Sequence, residues 1–293
     1  MYDIVRYEEA RSVEEAVALL QAYPKARPIA GGSDLLIKIH HGELPEAELI
    51  SLRGIPALAE ISLTEDGTIA IGAGATFHQI SRHPLVREHL SLLREAVDMV
   101  GGPQIRNIGT IGGNVCNGAT SADSAPALFA LNARLKLEGS SGSRTVPIDK
   151  FYKGPGKVDL RPAEVLTNIL IAAEDYRGFA GNYIKFAMRK AMDIATLSCA
   201  VMCRQENGVI AEFRLALGVA APTPVRCRAA EALVSGKPFS EEMVAVLGKT
   251  AAAEVNPRTS WRATRDYRLH LVEELSKRAF RQAFDNAGGR LPC

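Results

Sequence analysis

The chain has 293 residues, too many for one ordinary core, so two domains or one domain split into subdomains is expected. A hydrophobic fraction of 47% beside 23% charged residues fits a globular protein with a mixed, solvated exterior. A net charge of +2 gives no reason to expect nucleic acid or an acidic membrane surface as partner.

The opening "MYDIVRYEEARS" lacks the pattern of a signal peptide, and no apolar run is long enough to span a bilayer, so the cytoplasm is the expected compartment. Ser12-Val-Glu-Glu15 reads as a capping box, with Val13, Ala16, Val17 and Leu20 on one helical face and Pro24 ending the helix. "RPIAGGSDLLIKIH" predicts a short strand, a Gly-Gly turn, and a turn of helix that Ser33 and Asp34 can cap. "LAEISLTEDGTIAIGAGAT" predicts a hairpin around Asp66-Gly67, and residues 84–99 a helix. "TIGGNVCNGATSAD", residues 110–123, reads as a loop of small polar residues, followed by a short helix over "SAPALFALNA". "ARLKLEG" and "RTVPI" pair around "SSGS", "FYKGPGKVDLRP" is a loop, and "EVLTNILIA" is a strand.

Charge and glycine in "EDYRGFAGN" mark a boundary near 174–182. Strands "YIKFAMR", "TLSCAVMCR" and "IAEFRLALGVA" follow, the last two joined at Asn207-Gly208, and helices over roughly 227–235, 240–255 and 265–287 finish the chain. Strands before helices predict an α+β class. The five cysteines, at 116, 199, 203, 227 and 293, form no disulfide framework and no metal-ligand cluster. Cys199 and Cys203 read as core thiols, and no metal is expected on this chain.

Two nucleotide motifs fail. "IGAGATF" has Phe77 where a dinucleotide fingerprint needs its third glycine, and Pro84 cuts the following helix short. "GKT" at 248–250 has Met243 where a P-loop needs its first glycine. No Ser/His/Asp constellation stands out, and His40-His41 reads as a solvated helix end. No catalytic side chain is expected, so any chemistry uses a borrowed reactive group.

The glycines are more informative. Gly31-Gly32 and Gly112-Gly113 each sit between an apolar stretch and a small polar residue. Glycine lets a backbone approach a ligand and take positive φ, and successive N–H groups at such a turn form an anion nest. A diphosphate is the natural guest. Thr110, Asn114 and Ser121 add uncharged hydrogen-bonding groups. Asp123 is either an acceptor for sugar-like hydroxyls or the cap of the next helix.

At this point the residues carry a resemblance. "AGGSDLL", "GAGAT", "QIRNIGTIGGNVCNGATSADSAPAL", "FYKGPGK…EVL", "GVAAPTPVRC" and "RTSWRATRDYRLHL", with the glycine-rich tail, resemble the FAD-binding subunits of the molybdenum hydroxylases. The resemblance covers essentially the whole chain, with wording closest to the bacterial xanthine dehydrogenase branch. It implies an FAD-binding domain over 1–176, built of subdomains at about 1–55 and 56–176. That domain would be of the vanillyl-alcohol oxidase and UDP-N-acetylenolpyruvoylglucosamine reductase type. It implies a C-terminal domain over 177–293 of the carbon monoxide dehydrogenase flavoprotein type, with a three-stranded antiparallel sheet and a helical bundle.

The resemblance also assigns roles. Ile29, Ala30, Gly31, Gly32, Ser33, Asp34, Leu35 and Leu36 would wrap the diphosphate, and Thr76, Thr110, Gly113 and Asn114 would continue the cradle. Asp123 would bind FAD hydroxyls, with Leu166 and Lys185 at the flavin end. Pro155 stands where some animal relatives have a tyrosine beside the flavin, which puts shielding and the nicotinamide contact in question. The four clustered cysteines of relatives that reduce aromatic thioesters are absent, so no iron–sulfur cluster is expected here.

The implied activity is electron transfer from [2Fe-2S] clusters through FAD to NAD+, in xanthine or hypoxanthine oxidation. Molybdopterin and the clusters would lie on a large and a small partner subunit, in a heterotrimer or a dimer of heterotrimers. A sister hydroxylase acting on carbon monoxide, nicotinate or an aldehyde stays open, as does a flavin-binding assembly protein. A stand-alone flavin oxidase needs a substrate pocket with acid–base residues, and none is legible. In the last helix Leu269, Val272, Leu275 and Ala279 can bury inward. Arg262, Arg265, Arg268, Arg278 and Arg281 form either a solvated basic face or a docking surface.

Overall fold

The computed structural model describes residues 2–289, so Cys293 and the end of the glycine-rich tail lie outside the described residues. The chain starts with a small parallel sheet. Strands β1 (Ile4–Glu9), β2 (Arg27–Ile29) and β3 (Ala47–Ser51) lie in the order β1-β3-β2, with helices α1 (Val13–Ala22) and α2 (Leu35–His40) as crossovers. Ala16, Val17 and Leu20 are the buried face of α1. Its capping box is displaced by one residue. The Glu15 N–H donates to Ser12 Oγ at 3.1 Å, but Glu15 Oε2 accepts from Arg11 N–H rather than from Ser12. Strands β1 and β3 carry no signal that sequence reading found, because β1 exposes Ile4, Val5 and Tyr7 and shows no apolar face.

The second sheet is antiparallel throughout, in the order β4-β5-β10-β6-β7. It uses β4 (Ile61–Leu63), β5 (Ile69–Gly72), β6 (Arg134–Gly139) and β7 (Gly142–Pro147), with β8 (Tyr152–Gly154) and β9 (Lys157–Val158) as a separate pair, and then β10 (Val165–Ile171). The absence of a parallel return strand for β5 removes the dinucleotide fold that "GAGAT" suggests. "FYKGPGK" is therefore a tight hairpin, β8–β9, and not a plain loop.

Short helices fill the space between β5 and β6: α3 (Phe77–Arg82), α4 (Pro84–His89), α5 (Ser91–Asp98), α6 (Pro103–Ile108), α7 (Ile111–Cys116) and α8 (Ser124–Ala130). The expected single helix over 84–99 is broken at Leu90, which is buried and leaves the helical conformation. The expected loop over 110–123 contains α7, which starts on Thr110 as N-cap and overrides the two glycines through its packing on Ala73. Every residue of α8 is buried, because it lies between the second sheet's core and the C-terminal sheet. That position explains the small, apolar "SAPALFA".

After α9 (Ile148–Phe151) and α10 (Ala173–Tyr176), a third sheet runs antiparallel in the order β11-β12-β13-β14. Its strands are β11 (Phe179–Phe186), β12 (Leu197–Glu206), β13 (Val209–Gly218) and β14 (Val225–Arg226), and β15 (Lys237–Pro238) pairs with β13. Three long strands therefore stand as expected, with two short ones added. Asn207 and Gly208 both have positive φ, 52° and 80°, as a two-residue hairpin of this twist requires. Leu197, Cys199, Val201 and Cys203 face helices α11 (Arg228–Val234), α12 (Glu241–Ala253) and α13 (Arg265–Asn286), while Ala200 and Met202 face the preceding half of the chain. A strand buried on both faces reads as a continuous apolar run.

Candidate functional site

A cleft of about 350 Å³ opens between the β2–α2 segment and helices α6 and α7, within the size range of cofactor sites. One wall is the turn between β2 and α2. Gly32 takes φ +72°, and a Cβ on Gly31 would run into the backbone of Ile108 and Gly109. The Gly31 turn is thus pressed, backbone on backbone, against the residues that lead into α7. The N–H groups of Gly31, Gly32, Ser33 and Asp34 find no acceptor among the described residues. Four consecutive free donors facing a cleft make an anion nest. Asp34 stands at the N-cap position of α2 but makes no side-chain cap bond, so the expected capping by Ser33 and Asp34 is not what shapes the turn. Leu36 turns away from the cleft and packs with Ile29 and Ile39.

The opposite wall is the start of α7, and its donors are already used. Ile111 N–H donates to the Ala75 carbonyl at 3.0 Å, Gly112 N–H to the Ala73 carbonyl at 2.8 Å, and Gly113 N–H to Thr110 Oγ1 at 3.1 Å. Gly112 is packed so tightly that a Cβ would stand 2.5 Å from the Ala73 Cβ. Gly113 faces outward, and only Thr110 Oγ1 would meet its Cβ. Asn114 Oδ1 accepts from Ser124 Oγ at 2.7 Å, and its amide NH2 has no partner among the described residues.

The cleft therefore gathers Ile29, Ala30, Gly31, Gly32, Ser33, Asp34, Leu35, Thr110, Gly113 and Asn114. It also takes in Arg27, Lys38, Asn117 and Leu160, which sequence reading missed. Arg27 and Lys38 are exposed and have no ion-pair partner among the described residues, so they add positive charge beside the free donors. The spacing of Lys38 from Asp34, one turn of helix, could have found it. Cys116 lines the wall as a neutral thiol, because burial pushes its pKa up to about 12. Two smaller hollows adjoin. Thr76 lines one with Gly31 and Thr110, and Leu166 lines the other with Gly113 and Leu160. Thr76 completes a true capping box on α3 with Gln79, and Thr76 and Thr110 form a β-bridge that ties the walls together. Pro155 lies exposed at the tip of the β8–β9 hairpin, next to Gly156, whose N–H donates to the Gly118 carbonyl at 2.9 Å.

Asp123 and Lys185 are not among the residues lining the cleft. They form a buried ion pair at 2.7 Å behind it. Lys185 Nζ also donates to the Met99 carbonyl at 2.9 Å, and Tyr183 OH donates to Asp123 Oδ1 at 3.3 Å. Asp123 sits at the N-cap position of α8 without making a cap bond, which removes the capping role. Burial raises its pKa to about 6, against the pull of Lys185. Its neighbour Ser124 is the residue that holds Asn114.

The chain matches the family described as FAD binding domain in molybdopterin dehydrogenase over residues 3–173, and the CO dehydrogenase flavoprotein C-terminal domain over 182–283. It belongs to the FAD-binding subunits of the molybdenum hydroxylases. It is 40% identical over 291 residues to the xanthine dehydrogenase FAD-binding subunit of Escherichia coli O157:H7, covering 99% of this chain and 100% of that one. It is 36% identical over 282 residues to the carbon monoxide dehydrogenase medium chain of Hydrogenophaga pseudoflava, covering 95% and 96%. The solved structure of carbon monoxide dehydrogenase from that organism, lacking the Mo-pyranopterin moiety of its cofactor, superposes with a TM-score of 0.93 at 35% identity, covering 98% and 99%. The α+β architecture is thus that of the family, with an oxidoreductase subunit's FAD-binding domain. Among the described residues no helix is long and apolar enough to cross a membrane, and no group of three or more His, Cys, Asp or Glu could hold a metal ion.

Proposed function

We propose that this chain is the flavin subunit of a cytoplasmic xanthine dehydrogenase, receiving electrons from [2Fe-2S] clusters on one partner and delivering them to NAD+. Residues 1–176 hold the cofactor as two subdomains and residues 177–293 brace them. The observation that carries the cofactor site is the run of unclaimed N–H donors from Gly31 to Asp34 beside Arg27 and Lys38. A diphosphate satisfies these donors and balances that charge. Bound FAD supplies the exchange between single electrons and hydride that no side chain here can provide. Thr110, Gly113 and Asn114 shape the facing wall, and Thr76 and Leu166 its extensions. Asp123 and Lys185 act as positioning residues, anchoring the start of α8 so that Ser124 holds Asn114 against the cleft.

Full-length similarity at 40% to a xanthine dehydrogenase subunit supports the purine substrate. A molybdopterin-bearing large subunit would choose that substrate, and a small subunit would carry the clusters. The 36% identity to a carbon monoxide dehydrogenase medium chain favours a sister hydroxylase as the second reading. The test is turnover with and without the two partners. The chain alone should reduce an artificial acceptor with NADH and oxidise no purine, and the complex should reduce NAD+ with hypoxanthine or xanthine. Activity of the complex only towards carbon monoxide, nicotinate or an aldehyde would keep the electron relay and refute xanthine. Flavin binding with no NADH oxidation at all would leave an assembly protein.

A further inference from the structure

"GVAAPTPVR", residues 218–226, connects β13 to β14 and lines no part of the cleft, yet it grips the segment behind the cleft wall. At its start Gly218 lies so close to α8 that a Cβ there would stand 3.0 Å from Pro126 Cγ. Val219 follows with φ +64°, a conformation that a β-branched residue keeps only where its surroundings impose it. Its N–H donates to the Thr120 carbonyl at 3.2 Å, in the loop that leads into α8. Thr120 Oγ1 donates back to the Pro222 carbonyl at 3.1 Å.

At the end of the strap Arg226 closes on the far end of α8. Its side chain is only 5% exposed. Nη1 donates to the Phe129 carbonyl at 3.0 Å and to Asn132 Oδ1 at 2.7 Å, and Nη2 donates to Glu231 Oε2 at 2.9 Å. Glu231 also accepts from the Leu215 N–H at 2.9 Å, which ties this countercharge to β13. Arg214, on β13, donates to the Ala130 carbonyl at 3.3 Å and pairs with Asp175 at 3.0 Å. The last carbonyls of a helix have no partner within it, and here two guanidinium groups of the C-terminal sheet take them. Lys185, on β11 of the same sheet, holds Asp123 at the start of α8. The helix is thus fixed at both ends by one sheet. Apolar packing has no direction and would let so short and small-featured a helix slide, whereas hydrogen bonds at both ends set its register. Ser124, the first residue of α8, carries that register to Asn114 on the cleft wall through its 2.7 Å bond.

We infer that the 218–226 strap, with Arg226 as its principal side chain, is a positioning device for the cofactor cleft: it sets where α8 stands and so where Ser124 holds Asn114. The inference rests on the reading above that the cleft holds FAD. The C-terminal domain then tunes cofactor affinity from behind the wall without touching the cofactor through these residues.

The experiment strips flavin from the full chain, alone and joined to its partner chains, and titrates FAD back while following the quenching of flavin fluorescence. Urea unfolding of the same samples reports stability separately. Arg226→Met combined with Glu231→Gln removes the guanidinium and its countercharge together, so that no buried charge is left unpaired. It should raise the Kd for FAD roughly tenfold, the scale of one hydrogen bond lost from the wall. Ser124→Ala should do the same from the cleft side. The three substitutions together should weaken FAD no further than Ser124→Ala alone, because the strap acts through Ser124. Thr120→Val deletes only the bond to Pro222 and keeps the question open to test if the Arg226 variant does not fold. It should raise the Kd roughly threefold in the native background and leave it unmoved in Ser124→Ala. A strap that merely stabilises the fold would lower the urea midpoint and leave the Kd where it was. That result, or losses of affinity that add to the loss in Ser124→Ala, would overturn the positioning role. A native chain that takes up no FAD in either form would overturn the flavin reading itself.

Discussion

The Gly31-Gly32 turn lies against the Ile108–Gly109 backbone that leads into Gly112-Gly113, and the two glycine pairs look alike in sequence. Their hydrogen bonds differ. The first turn leaves the N–H groups of Gly31 to Asp34 free, while the second gives those of Ile111, Gly112 and Gly113 to Ala75, Ala73 and Thr110. The first is an open donor surface. The second is a structural joint whose outer face, Gly113, happens to line the cleft. A glycine motif therefore tells where a backbone comes close to something, and only the hydrogen-bond ledger tells whether that something is ligand or protein.

The joint should be the more fragile in stability and the open turn the more sensitive in cofactor binding. The largest effect is expected at the network behind the joint. Lys185→Met leaves the Asp123 carboxylate buried without its 2.7 Å partner, and unfolding experiments should show a loss of about 3–5 kcal/mol. A loss near zero would mean the pair does not brace the joint. Gly112→Val forces a side chain into Ala73 and should cost about 3 kcal/mol or more in denaturant unfolding, with FAD lost only as the fold is lost.

Gly32→Val should do the reverse. The strain of its φ of +72° costs about 1–2 kcal/mol, leaving the protein folded, while released-flavin analysis should find FAD occupancy largely gone. A variant that keeps both stability and FAD would make this turn a structural joint too, and the contrast would collapse.

The last effect is proton linkage at Asp123. Its folded pKa of about 6 lies above the ordinary 3.8. Between those values the folded protein holds a proton that the unfolded chain has released. Stability should therefore fall as pH rises from about 4 to about 6, by at most about 1.4 kcal/mol per pH unit, and this contribution should be flat above that window. Asp123→Asn should remove that slope from the stability–pH profile, and an unchanged slope would assign the linkage to another group such as Glu95, whose pKa burial also raises.

Much of the fold was legible because its signals are local. The Asp66-Gly67 and Asn207-Gly208 turns, the Ala16, Val17 and Leu20 stripe, and the three C-terminal helices each follow from residues within one turn or one pitch of each other. The free donors of Gly31 to Asp34 were legible as a glycine-bearing turn after a strand. The rest depended on partners distant in sequence. Strand β1 exists because it pairs with β3, not because it shows an apolar face of its own. Residues 111–116 turn helical because Ala73 and Ala75, just past β5, accept their first N–H groups. Asp123 meets Lys185, 62 residues away, and makes no cap bond to its own helix. Arg268 looked like one more residue on a basic helix, and only packing against Thr196 withdrew its charge from water. Propensity and pattern act over a few residues and are written in the chain. Which donor meets which acceptor, and which charge goes unanswered, is decided when distant segments compete for the same few polar groups inside the folded protein.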